Sequence, residues 1–448
     1  MNKHKNILII GMALLFLCLG IFLFFINEVV ILAGVLLVFA VVVALINPFW
    51  GILLTIFSFP IEKFTIIEGM TPVVPIGIAT GISWFFKKNK KIHWGIEMWL
   101  ICFLILIGTL SMFKNGAYSA HFQSLLFGGI LAFLIRNTVI TLDELHVVVI
   151  ISGVSIAIGG MVGIFTVFLP ETGSELYRQS GLFFDPNYFS LYCLVFIPSV
   201  ASIVNYGSSK SLKLFLYGVL IVLSFEFILA NSRGSTATAM VILIVFLFSA
   251  KMKQKIKIIF AVVLLLVTWI YFMPDIYFKR IPEMFKSEIY YQGTAASRLE
   301  SWVAGFRMFK DYPMLGVGLG KYGENTSIYA IDFTDRRVFN IVAHNSYIEI
   351  FAETGILGGM IFVVLMYVSL KNFKSAYEFE AQIPNIKAKN LFFGLYLGII
   401  GYIVGQLFLS AQYRKYLWLL VGLSILAKEI IKGSIENAAK EKNIDGAD

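Results

Sequence analysis

The chain has 448 residues, of which 58% are hydrophobic, 15% aromatic and only 14% charged. This composition excludes a soluble protein of this length. Apolar runs of about 20 residues recur along the chain, and a run of that length can cross a bilayer as a helix. Because lipid offers no partners to open sheet edges, we predict an all-α, polytopic transmembrane bundle. All three cysteines lie in apolar runs, which favours packing over a disulfide or metal site: Cys18, Cys102 and Cys193.

The apolar runs predict about 12 to 14 membrane spans. Residues 1–6 carry Lys3 and Lys5 and lead into the first run without a small-residue cleavage site. We therefore expect an uncleaved first span and not a signal peptide. The approximate limits of the candidates are 7–26, 29–46, 49–66, 72–86, 96–113, 120–135, 146–169, 187–204, 213–230, 235–250, 257–274, 346–370, 391–409 and 414–430.

The formal net charge of +9 would also suit a nucleic-acid binder, but the placement of the charges indicates membrane topology instead. With the N-terminus inside, the inner loops hold the lysine-rich stretches 87–91, 210–213, 251–257 and 371–389. Short, lysine-rich loops on one side indicate the cytoplasmic side. Both termini are therefore expected in the cytoplasm.

The arginines have the opposite distribution. Of nine arginines, only Arg136 falls on the predicted inner side. Arginine binds phosphate through a planar fork of donors and stays charged at any relevant pH. The outer face is therefore predicted to hold a phosphate ligand. The alternative is that some arginines neutralise nearby acids, as Arg336 and Arg337 would do with Asp332 and Asp335.

The largest outer segment, 275–345, divides the chain. It separates an N-terminal bundle, 1–274, from C-terminal helices, 346–430, and a polar cytoplasmic tail, 431–448. A connector of this length is usually functional or disordered.

An amphipathic helix is predicted within this outer segment. Ser297 and Glu300 form a capping-box pattern, with serine at the N-cap. Pro313 disfavours helix before it, so the helix should end near Asp311. We expect the helix to lie on the membrane surface or to pack over the bundle. Its apolar side chains recur at helical spacing: Leu299, Trp302, Phe306 and Phe309.

Two arginines stand at predicted outer ends of spans. Arg233 lies between two apolar runs, where a charge is costly unless paired or hydrated. This favours a functional role over simple snorkelling. Arg178 begins an outer loop whose glycine and proline shape a turn, and ordinary loop chemistry explains it equally well.

His344 lies where the outer segment re-enters the membrane. It has no metal-ligand spacing to another histidine, so no zinc site is predicted. A lone histidine is more often structural, but the neighbouring arginines favour a group that accepts a hydroxyl proton or holds a phosphate. The glycine-rich stretch 316–320 follows no buried strand, which argues against a dinucleotide loop. Its glycines predict a close backbone approach to a neighbour or ligand.

Four stretches in this order resemble the O-antigen ligase and polymerase family, bacterial integral-membrane proteins that handle lipid-linked glycans. In the histidine motif, His344 and Asn345 are followed after nine residues by Gly355 and after two more by Gly358. The other stretches that resemble the family are 178–187, 232–234, and 298–302 with 311–320.

The resemblance implies a metal-independent glycosyltransferase on the outer face of the bacterial cytoplasmic membrane, similar to GT-C-type membrane glycosyltransferases. The donor would be an oligosaccharide on undecaprenyl pyrophosphate and the acceptor another glycan, with no cofactor and no nucleic acid. Membrane lipid, a flippase and a chain-length regulator are the other candidate partners.

The resemblance also assigns roles to residues. Arg233 and Arg298 would contact the pyrophosphate and stabilise it as charge develops, with Arg178 as a weaker third. His344 would position or deprotonate the acceptor hydroxyl. The remaining substrate-binding candidates are Asn187, Asn345 and Trp302.

Polymerase and ligase share these motifs. A ligase needs a lipid A core acceptor, which is found only with an outer membrane. The lysine- and isoleucine-rich composition indicates an AT-rich genome, and on this signal we favour a polymerase of a surface polysaccharide over a ligase. A flippase or other transporter is the alternative from a different class, although transporters usually carry charges within their spans. We interpret the spans as nearly charge-free apart from Glu226, with the charges of interest at the outer edge, which favours an enzyme. A purely structural membrane protein would leave the arginine asymmetry unexplained.

Overall fold

The computed structural model describes residues 29–61, 71–88, 90, 92–114, 119–167, 180–183, 185–204, 209–249, 295–330, 341–380 and 391–445, and scattered positions between 252 and 267. These residues form helices and turns and contain no β-strand. The predicted all-α class is confirmed.

Fourteen helices have defined bounds within the described ranges. They are α1 (Val29–Ile46), α2 (Pro48–Phe57), α3 (Val73–Phe86), α4 (Ile96–Lys114), α5 (Ala120–Thr138), α6 (Leu142–Val167), α7 (Pro186–Ile203), α8 (Lys210–Leu229), α9 (Arg233–Ser249), α10 (Ala295–Asp311), α11 (Tyr322–Tyr329), α12 (Ser346–Glu380), α13 (Leu391–Gly405) and α14 (Lys415–Asp445).

Five of these helices are long and apolar enough to cross a membrane, namely α4, α6, α7, α8 and α12. Five shorter apolar helices accompany them. The prediction of a polytopic membrane protein is confirmed. The predicted span 49–66 is too long, since α2 ends at Phe57 and turns follow. The span predicted at 7–26 lies outside the described residues, as does most of 257–274.

Charged side chains join four helices at one end of the bundle, here called the Glu97 end. The Glu97 carboxylate on α4 accepts hydrogen bonds from Asn372 on α12 (2.9 Å) and Lys428 on α14 (3.1 Å). Arg136, at the end of α5, lies 3.5 Å from Glu429 on α14. Arg136, the one arginine predicted on the inner side, therefore lies at the Glu97 end of the bundle. The other described arginines at helix termini lie at the opposite end.

The long helix α12 is broken near its start, and the glycine-rich loop fills the break. Gly355 has a φ of 66° inside the helix. The N–H of Val317 donates to the Ala352 carbonyl (2.9 Å), and that of Gly318 donates to the Glu353 carbonyl (3.1 Å). Carbonyls that the break leaves without helical partners are thus satisfied by the loop.

Two glycines make this approach possible. A Cβ on Gly316 would lie 2.2 Å from the carbonyl carbon of Glu353, and one on Gly355 would lie 2.3 Å from that of Met314. Both glycines also have positive φ values, which L side chains rarely adopt. The predicted close approach of 316–320 to a neighbouring backbone is confirmed, and that neighbour is α12.

The predicted amphipathic helix is α10, with a correction at its start. It ends at Asp311 as predicted, but it begins at Ala295, so Ser297 lies inside the helix and is not its N-cap. Gly305 of α10 faces α12, where a Cβ would lie 2.5 Å from Ile348, while Leu299 and Phe306 are 59% and 63% exposed. Leu299 and Phe306 thus form an outward apolar surface, as expected for a helix at a membrane surface, while Phe309 packs against Phe351 of α12 with 5.8 Å between the ring centroids.

Candidate functional site

Three of the predicted site residues come together at the end of the bundle opposite Glu97. Arg233 is the first residue of α9, Arg298 lies near the start of α10, and His344 immediately precedes the α12 cap. Burial and then the charge of Arg233 lower the pKa of Arg298. Burial and then the charge of Arg298 lower the pKa of His344, while Asp185 opposes this shift. These effects link the three side chains into one electrostatic site built from segments distant in sequence.

Two polar atoms in this site are buried without a hydrogen-bond partner among the described residues. They are Nε of Arg298 and Nδ1 of His344. A buried, unpaired cationic donor is costly unless a ligand or water satisfies it. A second arginine beside it raises the local positive potential, so an anion is the ligand that this arrangement favours.

The backbone holds His344 in an unusual conformation. Its φ of 49° lies in the left-handed region, which is uncommon for a residue other than glycine. The preceding residue, Ala343, accepts a hydrogen bond from the Trp302 indole (2.9 Å) and donates one to the Glu349 carboxylate (3.2 Å). Strained conformations of this kind persist when the surroundings fix them on both sides.

Asn345 and Trp302 have contacts within the protein. The Asn345 side-chain oxygen accepts from the N–H groups of Tyr347 (3.0 Å) and Ile348 (3.1 Å), which caps the start of α12. Trp302 holds the carbonyl before His344. Both predicted substrate-binding residues therefore support the histidine loop in the structure, and direct substrate contact remains a prediction for each.

Asn187 connects two helix starts at the site. Asp185 caps α7 by accepting from the Asn187 N–H (2.6 Å), and Pro186 suits the first helical position. The Asn187 side chain accepts from the hydroxyl of Ser232, which directly precedes Arg233 (2.9 Å). Arg178 lies outside the described residues.

Two buried carboxylates were missed in the sequence interpretation. The expectation that the spans are nearly uncharged apart from Glu226 is wrong, because α12 contains Glu349 and Glu353, which are 3% and 1% exposed. Glu353 accepts from the Tyr413 hydroxyl (2.5 Å) and the Tyr322 N–H (3.3 Å). The available signal was an i, i+4 pair of acids within an apolar run, which marks functional positions in membrane proteins.

The α13–α14 loop, residues 406–414, was also missed, apart from its terminal arginine. The Arg414 guanidinium carbon lies 4.1 Å from the centroid of the Tyr188 ring. The Tyr188 hydroxyl donates to the Ser410 carbonyl in the same loop (3.0 Å). A further cation is therefore held beside the start of α7.

The fold and the site together define a polytopic helical membrane protein with a positively charged, histidine-containing site at one end of its bundle. Residues 218–363 match the model of a family described as O-antigen ligase. The resemblance predicted from the motifs is confirmed over this part of the chain, and the match includes Arg233, Arg298 and His344 but not Asn187. It supports a function of the O-antigen ligase or polymerase type in membrane glycan assembly. No curated protein matches the chain significantly.

Proposed function

We propose that the protein is a polymerase of a surface polysaccharide. It transfers a glycan from undecaprenyl pyrophosphate to a glycan acceptor, without a metal, on the outer face of the cytoplasmic membrane. The observation that carries the proposal is the pair of buried, unpartnered nitrogens, Nε of Arg298 and Nδ1 of His344, beside Arg233. An anionic leaving group and a hydroxyl acceptor would use these atoms together.

The reaction follows from the chemistry of these groups. The acceptor hydroxyl oxygen attacks the anomeric carbon of the donor, and the bond from that carbon to the pyrophosphate oxygen breaks. The electron pair leaves with the lipid pyrophosphate, whose charge Arg298 and Arg233 stabilise. The hydroxyl proton passes to the neutral imidazole of His344, whose lowered pKa keeps it unprotonated near neutral pH.

The remaining assignments complete the proposal. Arg178 is a weaker third contact for the pyrophosphate, while Asn187, Asn345 and Trp302 shape the substrate-binding surface. Both termini lie in the cytoplasm. A flippase would deliver the donor and a chain-length regulator would limit the product.

A ligase is the second candidate, because the matched family is described as O-antigen ligase. The same site would then transfer a finished chain to a different acceptor. The two functions differ in which glycan accumulates on the carrier when the site is disabled.

The test is the length and sidedness of carrier-linked glycan in cells with Arg298→Ala or His344→Ala. Arg307→Ala is the matched control, since Arg307 lies on the same helix and donates to the Tyr329 carbonyl (2.9 Å) away from the site. With equal protein in the membrane, accumulation of single repeat units on the outer leaflet supports the polymerase. Accumulation of full-length chains on the carrier supports the ligase. Accumulation on the inner leaflet refutes both and indicates a flippase.

A further inference from the structure

A buried carboxylate bridges the histidine loop and the α13–α14 loop. One oxygen of Glu349 accepts from the Ala343 N–H (3.2 Å) and from the Ser410 hydroxyl. The other oxygen accepts from the Gln412 side-chain amide (2.7 Å). The residue directly before His344 is therefore joined to loop 406–414 through one side chain.

Ser346 makes a parallel set of bonds on the other side of His344. Its N–H donates to the Gln406 carbonyl (2.8 Å), and its hydroxyl donates to the Leu409 carbonyl (2.7 Å). The same hydroxyl accepts from the Ala411 N–H (2.8 Å). Attachments to loop 406–414 therefore lie on both sides of His344. Of the two, the Glu349 attachment is the one that holds Ala343, the residue directly before His344.

In this arrangement, a hydrogen-bond acceptor at position 349 matters more for holding Ala343 than the negative charge of the carboxylate does. A glutamine at position 349 would keep an oxygen for the Ala343 N–H. The Gln412 amide oxygen has no partner among the described residues, so this amide can rotate to accept from the new side chain. A methionine of similar length would offer no acceptor, so the Ala343 N–H would lose its partner and the Trp302 bond alone would hold Ala343.

We propose that Glu349 is a positioning residue, which sets the direction of the His344 ring by holding Ala343 against loop 406–414. This inference rests on the proposed role of His344 and adds to it a residue that need not touch substrate. Because the same loop carries Arg414 against Tyr188, the carboxylate also fixes a cation relative to the histidine.

The test compares Glu349→Met with Glu349→Gln in proteoliposomes supplied with an undecaprenyl pyrophosphate-linked oligosaccharide. Glu349→Met should lower kcat per folded protein by about 10- to 100-fold with the donor KM little changed, because misplacement of a reacting group acts on the chemical step. Glu349→Gln should retain most of the wild-type kcat. Ser410→Ala, a milder change, should lower kcat by about five-fold, the effect of one lost hydrogen bond.

Glu97→Met is the matched control, since Glu97 is equally buried and hydrogen-bonded but lies at the opposite end of the bundle. It should keep the wild-type kcat per folded protein even if it melts at a lower temperature. A wild-type kcat in Glu349→Met, or equal losses in Glu349→Met and Glu97→Met, would overturn the inference. Full activity of His344→Ala would instead overturn the proposed function.

Discussion

At the scale of single residues, the imidazole of His344 and the guanidinium of Arg298 have to be considered together. Each has a buried nitrogen without a partner among the described residues, and the charge of Arg298 acts on the imidazole. Burial of the ring and then the Arg298 cation disfavour a positive charge on the imidazole, so the pKa of His344 is lowered from its ordinary value of 6.5. A base must be neutral to accept a proton, and this arrangement keeps it neutral.

The pH dependence of the reaction follows from this pair. In the wild-type protein, kcat/KM should fall on the acidic side with a midpoint below pH 6.5, because protonation of His344 removes the base. Arg298→Gln removes the nearby charge and should move that midpoint to higher pH, in addition to lowering the rate. The measurement is a pH–rate profile of both proteins, with Arg307→Gln as the control that leaves the midpoint in place. A midpoint that does not move in Arg298→Gln would contradict this coupling.

The residues found from sequence and those missed differ in a physical way. Arg233 and His344 stand at the ends of apolar runs, where an ionisable group is conspicuous. Glu349 lies inside a run that reads as a span, and its partners are a hydroxyl, an amide and a backbone N–H. The attachments of Ser346 to loop 406–414 run partly through carbonyl groups, which every residue possesses and no sequence pattern reveals.

At the scale of helices and loops, the glycine break in α12 is the feature with the clearest energetic consequence. Gly355→Ala would impose a strained φ and push a methyl group into the Met314 carbonyl. The strain alone costs about 1–3 kcal/mol. The expected result is a clearly lower melting temperature in detergent and a loss of activity.

Gly218→Ala is the control for this prediction. Gly218 lies within α8 and a Cβ there would meet no atom within 4 Å, so the change should leave stability unchanged or raise it by about 0.5–1 kcal/mol. Equal melting temperatures for Gly355→Ala and the wild-type protein would contradict the structure around the break.

Helix α10 shows which features of a helix local sequence patterns can predict. Pro313 predicted its end correctly, because the effect of proline on the preceding residues is local. Its start was wrong, since the alanines before Ser297 are good helix formers and extend the helix beyond the capping-box pattern. The sequence made no prediction of which residues of α10 face α12, and the structure shows that α12 comes close enough for a Cβ on Gly305 to lie 2.5 Å from Ile348.

At the scale of the whole molecule, the distribution of arginines and lysines predicts the orientation of the bundle. Met314 and Lys88 are both exposed and belong to opposite ends. In a protein whose native cysteines are replaced, a membrane-impermeant maleimide should label Met314→Cys in intact cells. Lys88→Cys should be labelled after permeabilisation alone. Labelling of Lys88→Cys in intact cells would refute the proposed orientation.

The existence and approximate limits of most helices followed from hydropathy, but their neighbours did not. Lys428 contacts Glu97 across 331 positions of the chain, and Trp418 fills the space beside Gly128. Such pairs depend on which apolar faces complement each other in shape, and many faces have nearly the same composition. The sequence thus predicts a bundle with two chemically different ends. Which helices pack against each other is known only from the structure.

Because a single interlock requires both Gly316 and Gly355, the two positions should be energetically coupled. A side chain at either one would force the glycine-rich loop away from α12. The close backbone contact would then be absent, so glycine would no longer be required at the other position. The double variant should therefore be less destabilised than the sum of the two single variants. In a lineage of such proteins, one loss would relax selection on the other, so the pair should be retained or replaced together.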